Sequence, residues 1–337
     1  MKKMLFLSLM TLMVASVTGC GNLSNDDLIF LAAVPRSEEI AMVVEPVTVS
    51  PNANTPAIGE PAQHYLTAVE ITDKFNADLD ALLKAVDNLG LGHSPTIREE
   101  NLRIWGPHKN VDGGGYTFGL EIRRSAKAGE TPRYTFCLLI GEDANYTGAV
   151  ITCDNPDDSG LINVFSGDYT PGDTNQSGRS GTGNLALNLA GLVWNPEVQS
   201  KGGLFEVAYD FRGGGSAKTV GVNWSGGENV VDGQTISDVE YEYTLATNGR
   251  VDFFFGALIN AIQVTDTREK VSIAAFWDEQ VGRADVTIEG GDLHEDTPAS
   301  AVECWDDARL RTYYSLDVPQ YPWESYVEGD LSLCPEL

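Results

Sequence analysis

Apolar residues recur along this chain with two periods, and the change from one to the other divides it. Between about Gln63 and Leu89, the residues Phe75, Leu79, Leu82, Val86 and Leu89 repeat at spacings of three and four. That spacing draws one apolar stripe down a helix, which Gly90 and Gly92 are expected to end. Beyond it the period falls to two. Tyr116, Phe118, Leu120 and Ile122 alternate with Thr117, Gly119, Glu121 and Arg123. The same alternation returns in Tyr134–Ile140, Leu185–Leu189, Phe205–Phe211, Val220–Trp224, Val239–Leu245, Val251–Phe255, Val271–Trp277 and Ala284–Ile288. Strands apolar on one face and separated by Gly, Asn and Asp predict an antiparallel sheet with one wetted face. Asn248-Gly249 adds a tight hairpin signal. A sheet of about ten strands curls or closes rather than staying flat. The expected fold is therefore mainly β, of the α+β kind. It is a strongly curved antiparallel meander or partly open barrel of about ten strands, packed on one N-terminal amphipathic helix.

The start of the chain follows a different rule. Lys2 and Lys3 precede an unbroken apolar run, and small residues lead to Val17-Thr18-Gly19-Cys20. A charged segment, an apolar core and a small-residue cleavage zone make a secretory signal. The run is too short to span a bilayer, which takes about 20 apolar residues. Its last four residues look like a lipobox, in which the Cys20 thiol is acylated and becomes the mature N-terminus. Lipoprotein processing attaches several acyl chains, and more than one chain is what stable anchoring requires. Gly21, rather than Asp, after the cysteine favours the outer membrane under the enteric sorting rule. The expected organisation is residues 1–19 as signal, 20–62 as lipid anchor and tether, and 63–337 as one β-rich domain. Pro35, Pro46, Pro51, Pro56 and Pro61 keep the tether from forming a long helix. Leu28–Leu31 and Ile40–Val44 are nevertheless apolar enough to dock on the domain.

Charge and cysteine content narrow the setting. The formal net charge is −27, and loss of Lys2 and Lys3 with the signal takes it to −29. Such a field repels nucleic-acid phosphates, which excludes nucleic acid as a partner, and it opposes anionic lipid headgroups. One of the five cysteines carries the lipid. The other four, in an oxidising compartment, suggest two disulfides. Cys137 and Cys153 flank the turn-rich Gly141–Asn145 and could face each other across a hairpin, which leaves Cys304 and Cys334 to tie down the C-terminal tail. Two other pairings stay open.

Several short blocks, taken in order, carry a resemblance. They are Phe30–Pro35, Ile104–Pro107, Phe165–Gly172, Gly181–Leu185, Gly282–Asp285 and Glu303–Asp306. Together they resemble a group of bacterial envelope lipoproteins over most of the mature chain. That group brings no activity with it, so no functional residue carries over. A helix packed in a curved sheet is also similar, in architecture alone, to carriers of the LolA and LppX type that shelter acyl chains, and fold does not fix function.

Residue chemistry gives little support to an enzyme. His64, His93, His108 and His294 are scattered without zinc-site spacing, and there is no G-x-S-x-G elbow. The metal candidate is Asp173-Thr174-Asn175-Gln176-Ser177-Gly178, in which Asp173, Asn175 and Ser177 place oxygen ligands at alternate positions before a glycine. Asn184 stands where a calcium loop would have glutamate, so a plain Asx-turn loop competes with calcium. Asp154, Asp157 and Asp158 form a weaker cluster of the same kind. Trp105, Trp224, Trp277, Trp305 and Trp323 could line a sugar or lipid site, although core packing is favoured for Trp224 and Trp277. The expected function is that of a non-enzymatic, membrane-anchored envelope lipoprotein that binds an apolar ligand or lipid within the curved sheet, which requires a cavity lined by aromatic strand faces. The alternative is an interaction module for another envelope protein or a glycan. It requires a filled core and an exposed apolar or aromatic patch.

Overall fold

The computed structural model describes residues 22–42, 44, 57–109, 115–125, 130–154, 156–172, 180–188, 204–211, 218–231, 234–246, 248–261 and 267–336. The structure is mainly β and antiparallel, with fifteen strands among the described residues. The chain divides into two compact units, Met1–Ala41 with Asn76–Gly214 and Met42–Phe75 with Gly215–Leu337.

The first unit holds α1 (Asn25–Leu31), α2 (Ser37–Ile40), α4 (Pro156–Ser159) and seven strands. These are β1 (Ile97–Glu99), β2 (Leu102–Lys109), β3 (Tyr116–Ser125), β4 (Arg133–Glu142), β5 (Ile162–Pro171), β6 (Gly181–Asn188) and β7 (Leu204–Phe211). Each pairs antiparallel with the next. The second unit holds β8 (Lys218–Val231), β9 (Gln234–Leu245), β10 (Val251–Ile259), β11 (Glu269–Trp277), β12 (Gly282–Glu289), β13 (Ala299–Trp305), β14 (Arg311–Asp317) and β15 (Tyr326–Gly329), again in sequential antiparallel order. Asn248-Gly249 turns β9 into β10 through the Ala246 N–H bond to the Arg250 carbonyl (2.8 Å), with Gly249 at a φ of 83°. Only glycine adopts that conformation without cost.

The long helix α3 runs from Gln63 to Gly92, three residues past the expected stop. Gly90 does not end it. Leu31 packs so closely on that turn that a Cβ at position 90 would collide with its side chain, which explains a glycine inside a helix despite the entropic cost. The helix buries Tyr65, Ala68 and Thr72 in its first half, then Leu79, Leu83 and Val86 in its second, all at helical spacing. Of the expected stripe, Leu79 and Val86 are buried and Leu89 half-buried, while the side chains of Phe75 and Leu82 lie outside those described.

The expectation of one wetted face does not hold for β2–β4. Phe136, Leu138 and Ile140 fill one face of β4, yet Cys137 and Leu139 on the other are also fully buried. Ile151 and Leu161 cover that second face, joined by the half-buried Tyr146 and Cys153, and they pack with Ile104 of β2 and the half-buried Ile97 and Leu102 in the sheet itself. The cover is the β4–β5 connection, folded back across the sheet. Cys137–Cys153 therefore joins a strand to an overlying loop, not two strands of a hairpin. Glu121, wholly buried on β3, assists by accepting the Cys153 N–H (3.0 Å) and pairing with Arg123. Cys304–Cys334 forms the second disulfide.

The covalent closure adds to the packing of Ile151 and Leu161 in holding this connection. The Cys137→Ala/Cys153→Ala variant should lose about 3 kcal/mol, the chain-entropy value for a loop of this size. Urea unfolding measures this, and an unchanged midpoint would show that the packing of Ile151 and Leu161 holds the loop unaided.

Candidate functional site

The aromatic residues of the second unit separate into a filled interior and an exposed edge. Tyr65, on the first turn of α3, lies edge-on to Trp277 (5.3 Å between ring centroids) and to Trp305 (5.7 Å). All three are buried. Trp105 is buried in the first unit, where its indole N–H donates to the His93 carbonyl (3.1 Å). The side chain of Trp224 lies outside those described. Trp323 differs: it is 76% exposed.

Beneath the edge lies a buried ion pair. Glu303 shares a face of β13 with Ala301 and Trp305, and nothing in its apolar surroundings would stabilise a lone carboxylate. It is satisfied from three directions. The backbone N–H groups of Gln63 (2.9 Å) and His64 (2.6 Å), the first two residues of α3, donate to its two oxygens. Arg311, as buried as its partner, donates from Nε (2.6 Å) and also pairs through Nη2. A carboxylate at a helix N-terminus gains from the helix dipole as well as the hydrogen bonds. Burial holds the His64 imidazole below its ordinary range, against the upward pull of Glu303 and with a further downward push from Arg311.

Arg311 also stacks on Tyr314 (4.9 Å), and Tyr314 meets Tyr326 of β15 (6.2 Å). The chain of contacts thus runs from the start of α3 out to the last strand. Burial, and then Glu303, push the Tyr314 hydroxyl upward, so it stays protonated at neutral pH. Around β15, the residues Trp323, Tyr326, Val327, Leu331 and Leu333 are all exposed. Side-chain and covalent fixings hold this segment. Ser325 Oγ accepts the Val318 N–H (3.0 Å), Asp330 caps the turn at Leu331, and Arg283 donates to the Pro335 carbonyl (3.3 Å) beside the Cys304–Cys334 bridge. Residues 315–337 contain five carboxylates and no Lys or Arg.

The other candidates from the sequence do not converge. Asp173, Asn175 and Ser177 lie outside the described residues. Asp154 is exposed and pairs with Arg123 (3.3 Å), and the Asp158 carbonyl accepts from Thr147 (2.7 Å). Among the described residues, no three His, Cys, Asp or Glu side chains form a metal-sized group. His93 and His108 stack at 4.0 Å, but they meet no third ligand. Comparison with protein-family models, curated proteins and solved structures returned no match.

The Glu303–Arg311 pair was missed in the sequence, although a signal for it exists. In Ala299-Ser300-Ala301-Val302-Glu303-Cys304-Trp305 the glutamate falls on the alternate positions occupied by alanine and tryptophan. A carboxylate in an apolar register is a buried one awaiting a partner.

Two outcomes follow from these groups. Glu303→Gln should cost about 3–5 kcal/mol by leaving Arg311 buried and unpaired, whereas Glu303→Leu/Arg311→Met should recover most of it. Thermal unfolding compares the two, and equal losses in both would contradict the pairing as the cause. Burial, reinforced by His93, lowers the His108 pKa from 6.5 to about 4. The folded state therefore resists a proton that the unfolded chain accepts. Stability is full above pH 6.5 and declines as pH falls towards about 4, and His108→Gln should flatten that slope in urea titrations.

Proposed function

We propose that this chain is a non-enzymatic envelope lipoprotein, anchored through acylated Cys20, whose C-terminal edge docks another envelope protein. The observation that carries the reading is the exposed, covalently fixed segment around β15, with Trp323 76% and Val327 67% exposed. Large apolar side chains held outward on a rigid support mark an interaction surface more often than chance exposure does. Among the described residues β15 ends the order of strands, so its outer backbone edge could take an added strand from a partner. The five carboxylates of residues 315–337, a segment without Lys or Arg of its own, select a cationic partner segment and disfavour a second copy of the same edge. Val327, Leu331 and Leu333 are aliphatic, which suits a protein surface better than a glycan.

The packing of Tyr65 between Trp277 and Trp305 argues against the carrier reading there, because the first turn of α3 occupies the strand face around these two tryptophans. The compartment follows from the signal and lipobox: the polypeptide faces the periplasm or the cell surface, with the lipid in the outer membrane.

Photo-crosslinking in intact cells tests the docking surface. A crosslinker at Val327 should yield one discrete adduct that weakens in Trp323→Ala and disappears in Leu331→Lys, while the same probe at Leu204, another exposed apolar position, yields none. Equal labelling at both positions would sink the reading. So would an acyl lipid that co-purifies with residues 21–337 and is lost on denaturation, since that result returns the function to the sheet interior.

A further inference from the structure

The segment next to the anchor is not a free stalk. Asn22 is pinned at both backbone groups: its N–H donates to Ser94 Oγ (2.9 Å), and its carbonyl accepts from Arg98 Nη2 (3.0 Å). Ser24 then opens α1 with a capping box closed by Asp27. Asp27 is fully buried and receives Arg103 Nε (2.7 Å) and Arg98 Nε (3.1 Å), while Asp26 pairs with Arg103. Burial alone would raise the Asp27 pKa, but the Ser24 amide and hydroxyl and the two arginines together bring it below the ordinary carboxylate range. One turn later Phe30, fully buried, lies under Arg103 (4.6 Å) and Arg124 (5.2 Å) and edge-on to Tyr134 (6.0 Å). Leu31 fills the notch at Gly90.

These inward contacts fix the roll of the helix, and the roll turns two large apolar residues outward. Leu28 is 43% and Ile29 51% exposed, and Leu91, next to the Gly90 notch, is 50% exposed. The local charge differs from that of the whole chain. Residues 96–133 hold seven Lys and Arg against five Asp and Glu, and with Asp26 and Asp27 of α1 the balance is even, within a chain of net charge −27. Arg98 and Arg124, which brace α1, remain partly exposed.

From this we infer that the Leu28–Ile29 face of α1 is a membrane contact, which seats the first unit directly on the bilayer that carries its lipid. The inference rests on acylation at Cys20. Two residue steps separate Cys20 from the pinned Asn22, a reach of at most about 7 Å. The polar layer on one side of a bilayer is roughly 5–8 Å thick, half the difference between total and hydrocarbon thickness. An anchor so short holds α1 at headgroup depth, where exposed Leu and Ile gain by burial and arginines meet phosphates.

The test uses the acylated mature chain in phosphatidylethanolamine and phosphatidylglycerol vesicles. An environment-sensitive fluorophore is attached through Ile29→Cys or, as a control, Leu333→Cys. Neither change touches Asp27, Phe30 or Leu31, and the disulfides stay oxidised. The probe at 29 should shift to the blue and lose most of its emission to a doxyl-labelled phospholipid, while the probe at 333 does neither. A chain that floats with the vesicles but shows equal, weak quenching at both positions overturns the membrane contact and leaves the anchor intact. A chain that fails to float, with a mass lacking the acyl groups, overturns the anchor reading and the contact with it.

Discussion

Glu303 cannot be left alone in the interior, and that requirement organises the second unit. An unpaired buried carboxylate costs several kcal/mol, so a helix N-terminus and an arginine have to be brought to it. The first turn of α3 therefore starts where its free N–H groups reach β13, with Gln63 and His64 donating to Glu303. Once that turn is fixed, Tyr65 has to enter between Trp277 and Trp305. Arg311, held by the same carboxylate, carries the constraint through Tyr314 to β15. Replacing the pair with apolar residues could match its stability. What the ions add is direction, since Glu303 accepts donors only along its lone pairs.

The first unit solves a comparable problem at Asp27, with arginines from β1 and β2 in place of a helix end. In both units an apolar sheet face is covered by a helix whose position an ionic contact sets. The similarity is one of means, since the carboxylate belongs to the helix at Asp27 and to the strand at Glu303.

Strict alternation made a strand legible in the sequence, and its loss hid one. All nine alternating stretches fall on strands, with Leu189 of one of them outside the described residues. Four of the six missed strands, β2, β5, β13 and β14, break the pattern for a local reason. β5 carries Gly167 at its centre because the Phe136 ring lies against it, and a Cβ there would collide with that ring. β2 contains Gly106-Pro107 with a register shift between Trp105 and His108. β13 places Glu303 in an apolar register and β14 places Arg311 where it is wholly buried. β4, apolar on both faces, was recognised as a strand, but its second core is invisible without the β4–β5 connection. The candidate edge was less legible still. Trp323 and Trp305 are the same residue type in similarly acidic surroundings, and only their places, Trp305 on the inward face of β13 and Trp323 in the turn between β14 and β15, make one a core residue and the other a surface.

Net charge is the feature that a sequence summary treats most coarsely. A value of −27 suggests a body that anionic membranes repel. At physiological ionic strength, however, exposed charges more than about 8 Å apart are largely screened, so a surface responds to its own neighbourhood and not to the sum. Around α1 that neighbourhood is close to neutral, with Arg98 and Arg103 balanced by Asp26 and Asp27 and Arg124 set over Phe30. Around β15 it is mainly acidic, relieved in part by Arg283 at the Pro335 carbonyl. On the proposed readings the two surfaces suit different companions, a bilayer interface at the first and cationic segments at the second. Folding creates this difference, because the arginines that neutralise Asp27 lie more than seventy positions away in sequence. The local balance beside the anchor could not be summed from the residues that adjoin it.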